Sequence, residues 1–90
     1  MKFEWDTKKA VANEKKHSAS FHEASSIFGD PFALTFDDPD YSVGEARYLT
    51  FWISNLHRLL VVVHTLRGKI TRIISARIAT RQERKIYEEG

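Results

Sequence analysis

Five consecutive aliphatic residues, Leu59 to Val63, place the strongest constraint on how this chain of 90 residues folds. A strand with one face in water alternates apolar and polar residues, and this run has no polar position. The run is also far shorter than the roughly 20 residues that a membrane-spanning helix needs. It therefore predicts a central strand covered on both faces, with N-terminal helices on one of them.

Segments on either side of this run predict a meandering antiparallel sheet. They are rich in aromatic and β-branched residues, which favour strands. Residues 37–40 (Asp-Asp-Pro-Asp) and the tripeptide Arg67-Gly68-Lys69 have the composition of turns. The predicted strands are Phe32 to Phe36, Arg47 to Ile53, Arg58 to Leu66 and Ile70 to Ala76.

Helix-capping residues mark three predicted helices. Asp6, after a short apolar stretch, can cap a helix through residues 8–12. Ser20–Glu23 and Thr80–Glu83 both match the S-x-x-E capping box, in which a hydroxyl and a carboxylate satisfy amides of the first turn. The last helix ends near Tyr87. The predicted order is β-α-α-β-β-β-β-α, in which the first strand is the short apolar stretch Phe3 to Trp5.

The length and composition indicate one folded domain over residues 1–90. Hydrophobic residues make up 42% and charged residues 29%, which is typical of a globular protein. The absence of cysteine excludes disulfides, thiolate nucleophiles and cysteine zinc sites. The N-terminus has no apolar leader segment, so we expect a cytoplasmic protein without membrane contact.

The charge is unevenly distributed along the chain. Lysine and arginine number 14 against 12 acidic residues, a net charge of only +2. Five carboxylates lie within residues 30–45, whereas Glu83 is the only one between residues 58 and 84. A locally basic half suits phosphate binding. Its cations are Arg58, Arg67, Lys69, Arg72, Arg77, Arg81 and Arg84.

Searches for common catalytic motifs find none. There is no glycine-rich phosphate loop, HExxH, G-x-S-x-G or EF-hand pattern, and the four histidines lack a spacing typical of a metal site. Taken together, however, five segments resemble the BrnT toxins in order and spacing. They are Phe3 to Asp6; Asn13 to His17 with Phe21 and Ala24; Glu45 to Arg47; Leu59 to Thr65; and Arg72 to Arg77 with Ala79, Thr80, Glu83 and Tyr87.

This resemblance implies a RelE-like α+β fold. We expect an antiparallel sheet of about four strands packed against two N-terminal helices, with a C-terminal helix. It also implies a type II toxin that cleaves RNA as a metal-independent endoribonuclease, without a cofactor, and so inhibits translation and growth. The implied partner is a BrnA-type antitoxin with a ribbon-helix-helix part, through which alone the toxin would reach operator DNA.

RNA cleavage of this kind needs a group that deprotonates or orients the 2′-hydroxyl, cations for the phosphorane and a proton for the leaving oxygen. Arg47 and Arg77 are candidate phosphate binders, because guanidinium forks match phosphate oxygens. His17 is the leading acid or base candidate and Glu45 the second. The candidate substrate-binding residues are Lys16, Arg72 and Tyr87.

Each assignment has a structural alternative. Glu45 and Arg47 can form a simple ion pair on one strand face, Lys16-His17 can be a solvated turn, and Tyr87 can pack in the core. The function also has alternatives: a nucleic-acid-binding module without catalysis, or a decayed toxin that only binds antitoxin.

Overall fold

The computed structural model describes residues 1–38 and 44–89. In these residues the helices and strands follow the order that the sequence predicts. No helix among them is long and apolar enough to cross a membrane. The strands are β1 (Lys2–Glu4), β2 (Leu34–Asp37), β3 (Tyr48–Ile53), β4 (Leu59–Arg67) and β5 (Ile70–Ile78). The helices are α1 (Thr7–His17), α2 (Phe21–Ser26), which continues into a 3-10 turn at Ile27–Gly29, and α3 (Arg81–Glu89).

The strands form one mixed sheet of five, in the order β1-β5-β4-β3-β2. The prediction of about four antiparallel strands is therefore wrong. The difference is β1, which pairs in parallel with the start of β5, with Phe3 opposite Thr71. Three residues carry too little pattern to show which strand they join, so sequence alone could not place this edge.

The aliphatic run lies in the central strand, as predicted. β4 pairs with β3 on one side and β5 on the other, and alternate residues of β4 point to opposite faces of the sheet. We call the face that carries Leu60 and Val62 the N-terminal face, and the face that carries Leu59 and Val61 the C-terminal face.

The two faces are covered to different extents. On the N-terminal face, side chains from the α1–α2 region pack on the sheet in the larger core. Its buried members are Ala19, Phe21, Ala24, Ile27, Leu60, Val62, Ile73 and Ala76. On the C-terminal face the buried cluster is only Phe51, Leu59 and Val61, with partly buried side chains around it. α3 contributes Tyr87 to that cluster but has no buried residue of its own.

Local hydrogen bonds correct two predicted strand starts. β2 begins at Leu34 rather than Phe32, because Asp30 holds the preceding residues in a turn: its Oδ1 accepts the Phe32 amide at 2.8 Å and its carbonyl the Ala33 amide at 3.1 Å. β3 begins at Tyr48, so Arg47 precedes the strand. The turn predicted at residues 37–40 lies partly outside the described residues, because Pro39 and Asp40 do.

The caps of the first two helices form on the predicted residues. Asp6 accepts the Lys9 amide and the Ser20 hydroxyl accepts the Glu23 amide, both at 3.0 Å. The buried Glu23 carboxylate binds Arg58 and accepts the Ser54 hydroxyl at 2.6 Å. Arg58 holds the pKa of Glu23 below its usual value. Glu23 therefore joins α2 to the start of β4 rather than acting only within its own helix.

His64 is a buried polar side chain on the N-terminal face. Its Nε2 lies 2.7 Å from the Thr50 hydroxyl, and its ring packs between Phe28 and Tyr48. Burial lowers the pKa of His64 from 6.5 to about 4, so the ring is neutral at pH 7. This histidine is a core residue, and it faces away from the C-terminal face.

We expect His64 to make stability dependent on pH. Between pH 6.5 and about 4 the unfolded chain binds a proton that the folded chain excludes, so the free energy of unfolding falls as the pH drops through this window. Relative to His64→Gln, the wild type should lose about 2 kcal/mol between pH 7 and 4.5. Urea unfolding at both pH values measures this. His22→Gln, at an exposed position, is the control, and the same pH dependence in wild type and His64→Gln would contradict the expectation.

Candidate active site

Arg77 lies on the C-terminal face near the end of β5. It is opposite Val61 in the register, while its neighbour Ala76 belongs to the core of the other face. Its guanidinium forms a bidentate ion pair with Glu83, in which Nη1 donates to Oε1 at 2.6 Å and Nη2 donates to Oε2 at 2.8 Å. The pair is partly open to solvent, with 37% of the Arg77 side chain and 27% of the Glu83 side chain exposed.

The chain turn after β5 fixes Glu83 in this position. The Thr80 hydroxyl accepts the Glu83 amide at 3.2 Å, and Oε1 of Glu83 accepts the Thr80 amide at 2.8 Å. This closes the predicted capping box and starts α3. The same carboxylate thus caps the helix and binds the arginine, so local sequence determines the direction of the Arg77 guanidinium.

The ion pair shifts both ionisation equilibria. The hydrogen bonds from Arg77 lower the pKa of Glu83 to about 2, and the bonds to Glu83 raise the pKa of Arg77. Glu83 is therefore ionised at neutral pH and is a weak base. Glu83 takes two of the five N–H donors of the guanidinium, and a phosphate oxygen can be bound by the others.

Two more candidate residues lie in ion pairs toward the opposite end of β5, near the turn that joins β4 to β5. Nη1 of Arg72 donates to Oε2 of Glu4 on β1 at 2.6 Å. Glu45 accepts from Arg67, with Nε to Oε2 at 3.1 Å. Glu45 and Arg47 precede β3, so they do not share a strand face as the sequence suggested. Glu45 thus pairs with Arg67, a partner that the sequence did not predict.

Lys16 and His17 come from a different part of the fold. They lie in the last turn of α1, where Lys16 is exposed and His17 is half-buried. α1 runs beside β5: the buried Asn13 side chain donates to the Ala76 carbonyl at 2.8 Å and accepts the Ala76 amide at 3.1 Å. The helix that carries Lys16 and His17 thus packs on the N-terminal face, whereas Arg77 lies on the C-terminal face, so the structure does not bring these candidate residues together.

Tyr87 packs against the sheet. Its ring centre is 6.3 Å from that of Phe51 and 5.1 Å from that of Trp52, both in edge-on geometry. These contacts hold α3 against β3. They agree with the packing alternative for Tyr87, and a substrate contact for it stays a prediction.

A groove of about 320 Å³ opens between α3 and the strands β2 to β4. Its walls are mainly apolar, and Glu83 places it directly beside the Arg77 ion pair. The residues that line it are Phe36, Asp37, Leu49, Phe51, Val61, Glu83 and Ile86.

Glu83 and Asp37 line the groove but were not among the predicted site residues. The signal for Glu83 was present, because a capping box three residues after Arg77 brings its carboxylate back to the end of the strand. Asp37 had no comparable signal, since its position on the groove depends on the pairing of β2 with β3.

We expect Glu83→Gln to lower the free energy of unfolding by about 1 kcal/mol at pH 7, since the pair is partly solvated. The folded pKa is depressed, so this stabilisation is complete above pH 4.5 and is lost as the pH falls toward 2. Denaturant unfolding of wild type and variant across pH 2 to 7 tests this. Glu88→Gln, on the exposed side of α3, is the control, and an equal effect of both variants would refute the assignment.

Comparisons with known proteins agree with this architecture. The family model for the ribonuclease toxin BrnT of type II toxin-antitoxin systems matches residues 5–83. The crystal structure of the Brucella abortus ribonuclease toxin BrnT superimposes with a TM-score of 0.68 at 23% identity, covering 90% of this chain and 99% of that one. At this identity the structural likeness shows a shared fold. No curated protein sequence matches the chain.

The family match extends from Trp5 to Glu83 and so includes the strand that carries Arg77 and the capping box that holds it. Membership implies an RNA substrate and an antitoxin partner. The chain belongs to the BrnT family of ribonuclease toxins of type II toxin-antitoxin systems.

Proposed function

We propose that this protein is a metal-independent endoribonuclease that inhibits translation and growth by cutting RNA. A BrnA-type antitoxin with a ribbon-helix-helix part neutralises it and provides the only contact with operator DNA. The observation that carries the proposal is the Arg77 guanidinium, which is fixed by Glu83 and lies at the edge of an open groove.

In the proposed reaction the ribose 2′-oxygen attacks the adjacent phosphorus, and the bond from phosphorus to the 5′-oxygen breaks. The 2′-hydroxyl loses one proton and the leaving 5′-oxygen gains one, so a cyclic phosphate and a 5′-hydroxyl result. Arg77 stabilises the negative charge that accumulates on the phosphorane. Arg72 on the same strand, Arg47 and Lys16 are proposed to add to the positive field.

Glu83 supports this role by orienting Arg77. Two short hydrogen bonds already hold the Arg77 guanidinium, so its side chain loses little further conformational entropy when a phosphate binds. This favours the charged transition state. With its pKa near 2, Glu83 is a poor proton acceptor at neutral pH. We therefore assign it to positioning rather than to proton transfer.

For proton transfer we retain His17 as the first candidate. An imidazole can both donate and accept a proton, and Asn13 fixes the helix of His17 beside β5 on the sheet face opposite to Arg77. Glu45 is the second candidate for the base. Its carboxylate is held in place by Arg67.

A second function is supported by the same ion pairs. Arg72 and Arg77 are each bound to a carboxylate, an arrangement that also occurs where arginines only stabilise a fold. A module that binds RNA or antitoxin without cutting would use the C-terminal face for affinity alone. In that case Arg77 would affect binding and its salt dependence, and RNA would stay intact.

Induced expression of wild type, Arg77→Ala and Arg77→Lys tests the proposed function. Wild type should arrest growth and fragment RNA. Arg77→Ala should reduce the cleavage rate by about a hundredfold to a thousandfold. Arg77→Lys should cleave at an intermediate rate, because lysine keeps the positive charge but cannot bind with two parallel N–H donors. Arg84→Ala, an exposed arginine on α3, is the matched control and should retain activity.

Soluble protein level and circular dichroism show whether each variant folds. Intact RNA in cells that express folded wild type would refute the ribonuclease function. Full activity of folded Arg77→Ala would refute the role of Arg77. Purified wild type should cut RNA equally well with excess EDTA, and loss of cutting that added Mg²⁺ restores would refute metal independence.

The antitoxin part of the proposal has its own test. Co-expression with a ribbon-helix-helix protein encoded beside this gene should restore growth, and the two proteins should copurify. Binding to operator DNA should then require the antitoxin. Retarded migration of operator DNA by this protein alone would contradict that part.

A further inference from the structure

A β-bulge in β5 brings two arginines to the same face of the sheet. Arg72 and Arg77 are five residues apart, and an odd separation in a regular strand would place their side chains on opposite faces. Between them the register with β4 shifts, because β5 carries one extra residue. Arg77 lies opposite Val61 on β4. Arg72 lies opposite Thr65, four positions further along β4, so both arginines belong to the C-terminal face.

The guanidinium groups of these two arginines lie at different places on that face. Four residues of β4 correspond to about 13 Å between their backbone positions. Their side chains also point apart, because Arg77 binds Glu83 on α3, whereas Arg72 binds Glu4 on β1. In this arrangement one phosphate cannot contact both groups. An RNA strand that lies across the face can contact each of them with a different phosphate.

At the β1 end, two guanidinium groups converge on one oxygen atom. Nη1 of Arg72 donates to Oε2 of Glu4 at 2.6 Å, and Nη1 of Arg67 lies 3.9 Å from the same oxygen. Glu45 binds the other edge of Arg67, through Nε and Nη2. The cluster is open to solvent, with 52% of the Arg67 side chain and 35% of the Glu4 side chain exposed. A carboxylate oxygen thus occupies a point where a phosphate oxygen would be bound by two arginines.

The surroundings of this cluster favour an anion that can replace Glu4. Glu4 ends a strand of three residues at the edge of the sheet, and exposed ion pairs of this kind contribute little stability. Lys2 precedes it on the same strand, and Lys69 lies in the turn between β4 and β5; both are exposed. Four cations therefore surround two carboxylates, and a polyanion is attracted to this end of the face. The cations are Lys2, Arg67, Lys69 and Arg72.

We propose that Arg67 and Arg72 form a second phosphate subsite, which binds an RNA backbone phosphate other than the one cut at Arg77 and which Glu4 fills in the free protein. The inference rests on the proposed function, because it takes the RNA to lie across the C-terminal face. When RNA binds, its phosphate accepts hydrogen bonds from both guanidinium groups, and the Glu4 carboxylate moves into solvent. Glu4 thus keeps the two arginines aligned and competes with RNA for them.

Binding of an RNA hexamer with methylated 2′-oxygens, which cannot be cut, tests the subsite by fluorescence anisotropy. Glu4→Gln should bind it about threefold to fivefold more tightly, because the competing carboxylate is lost. Arg67→Ala should bind it about fivefold more weakly, and the slope of log affinity against log salt should become smaller by about 0.7. An ion-pair cluster that is only structural predicts no tightening in Glu4→Gln.

Two control variants make the same charge changes elsewhere. Glu14→Gln on α1 and Arg84→Ala on α3, both at exposed positions, should change the affinity less than twofold. Equal tightening by Glu14→Gln and Glu4→Gln would show a general charge effect and overturn the proposal. Unchanged affinity of Arg67→Ala would overturn it by itself, whether or not Glu4→Gln folds. Circular dichroism checks the fold of each variant.

Substrate length separates the two phosphate positions. The only phosphate of a dinucleotide must lie at Arg77 to be cut, whereas a hexamer can also reach Arg67 and Arg72. In Arg67→Ala, kcat/KM should therefore fall about fivefold more for the hexamer than for the dinucleotide, mainly through KM. An equal fall for both substrates would overturn the proposal.

The same measurements distinguish failure of this inference from failure of the proposed function. If the hexamer binds with the expected variant effects and wild type cuts no RNA, the ribonuclease function fails and the subsite stands. If wild type cuts RNA and Arg67→Ala has the same kcat/KM for the hexamer, the subsite fails and the function stands. Tighter antitoxin binding by Glu4→Gln with unchanged RNA affinity would assign the cluster to an acidic segment of the antitoxin and overturn the proposal.

Discussion

The structure depends on one constraint, a central strand that is apolar on both faces. β4 carries Leu60 and Val62 toward one core and Leu59 and Val61 toward the other, so each face of the sheet needs a cover. The α1–α2 region covers the first face with fully buried side chains. Among the described residues, the second face is covered by α3, which buries none of its own residues. A small domain with few helices thus leaves a groove on the face that is less covered.

The position of the arginines follows from that asymmetry. Arg77 on the C-terminal face remains partly solvated beside an open groove, because α3 covers this face less completely than α1 and α2 cover the other. Glu83 makes the arrangement rigid, since the same carboxylate caps α3 and holds Arg77. The proposed ribonuclease reaction needs a fixed positive charge next to space for RNA, and we infer that Arg77 and the adjacent groove supply both.

The sequence predicted the features that depend on local pattern. The central strand, the caps at Asp6 and Ser20 and the complete capping box at Thr80 all formed on the expected residues. Features that depend on distant pairing were missed or wrong. β1 joins β5 in parallel, Glu23 binds Arg58 across 35 residues, and Asp37 reaches the groove only through the pairing of β2 with β3. No spacing along the chain encodes such contacts.

The central claim is that RNA binds on the C-terminal face of the sheet. It is tested most directly by NMR mapping with an RNA whose 2′-hydroxyls are replaced by hydrogen, so that it binds without being cut. The account predicts that the signals of Arg72, Arg77 and Glu83 shift together, and that the signals of the buried residues of α2 do not. Shifts confined to α2 and the exposed lysines of α1, with Arg77 and Glu83 unchanged, would contradict it.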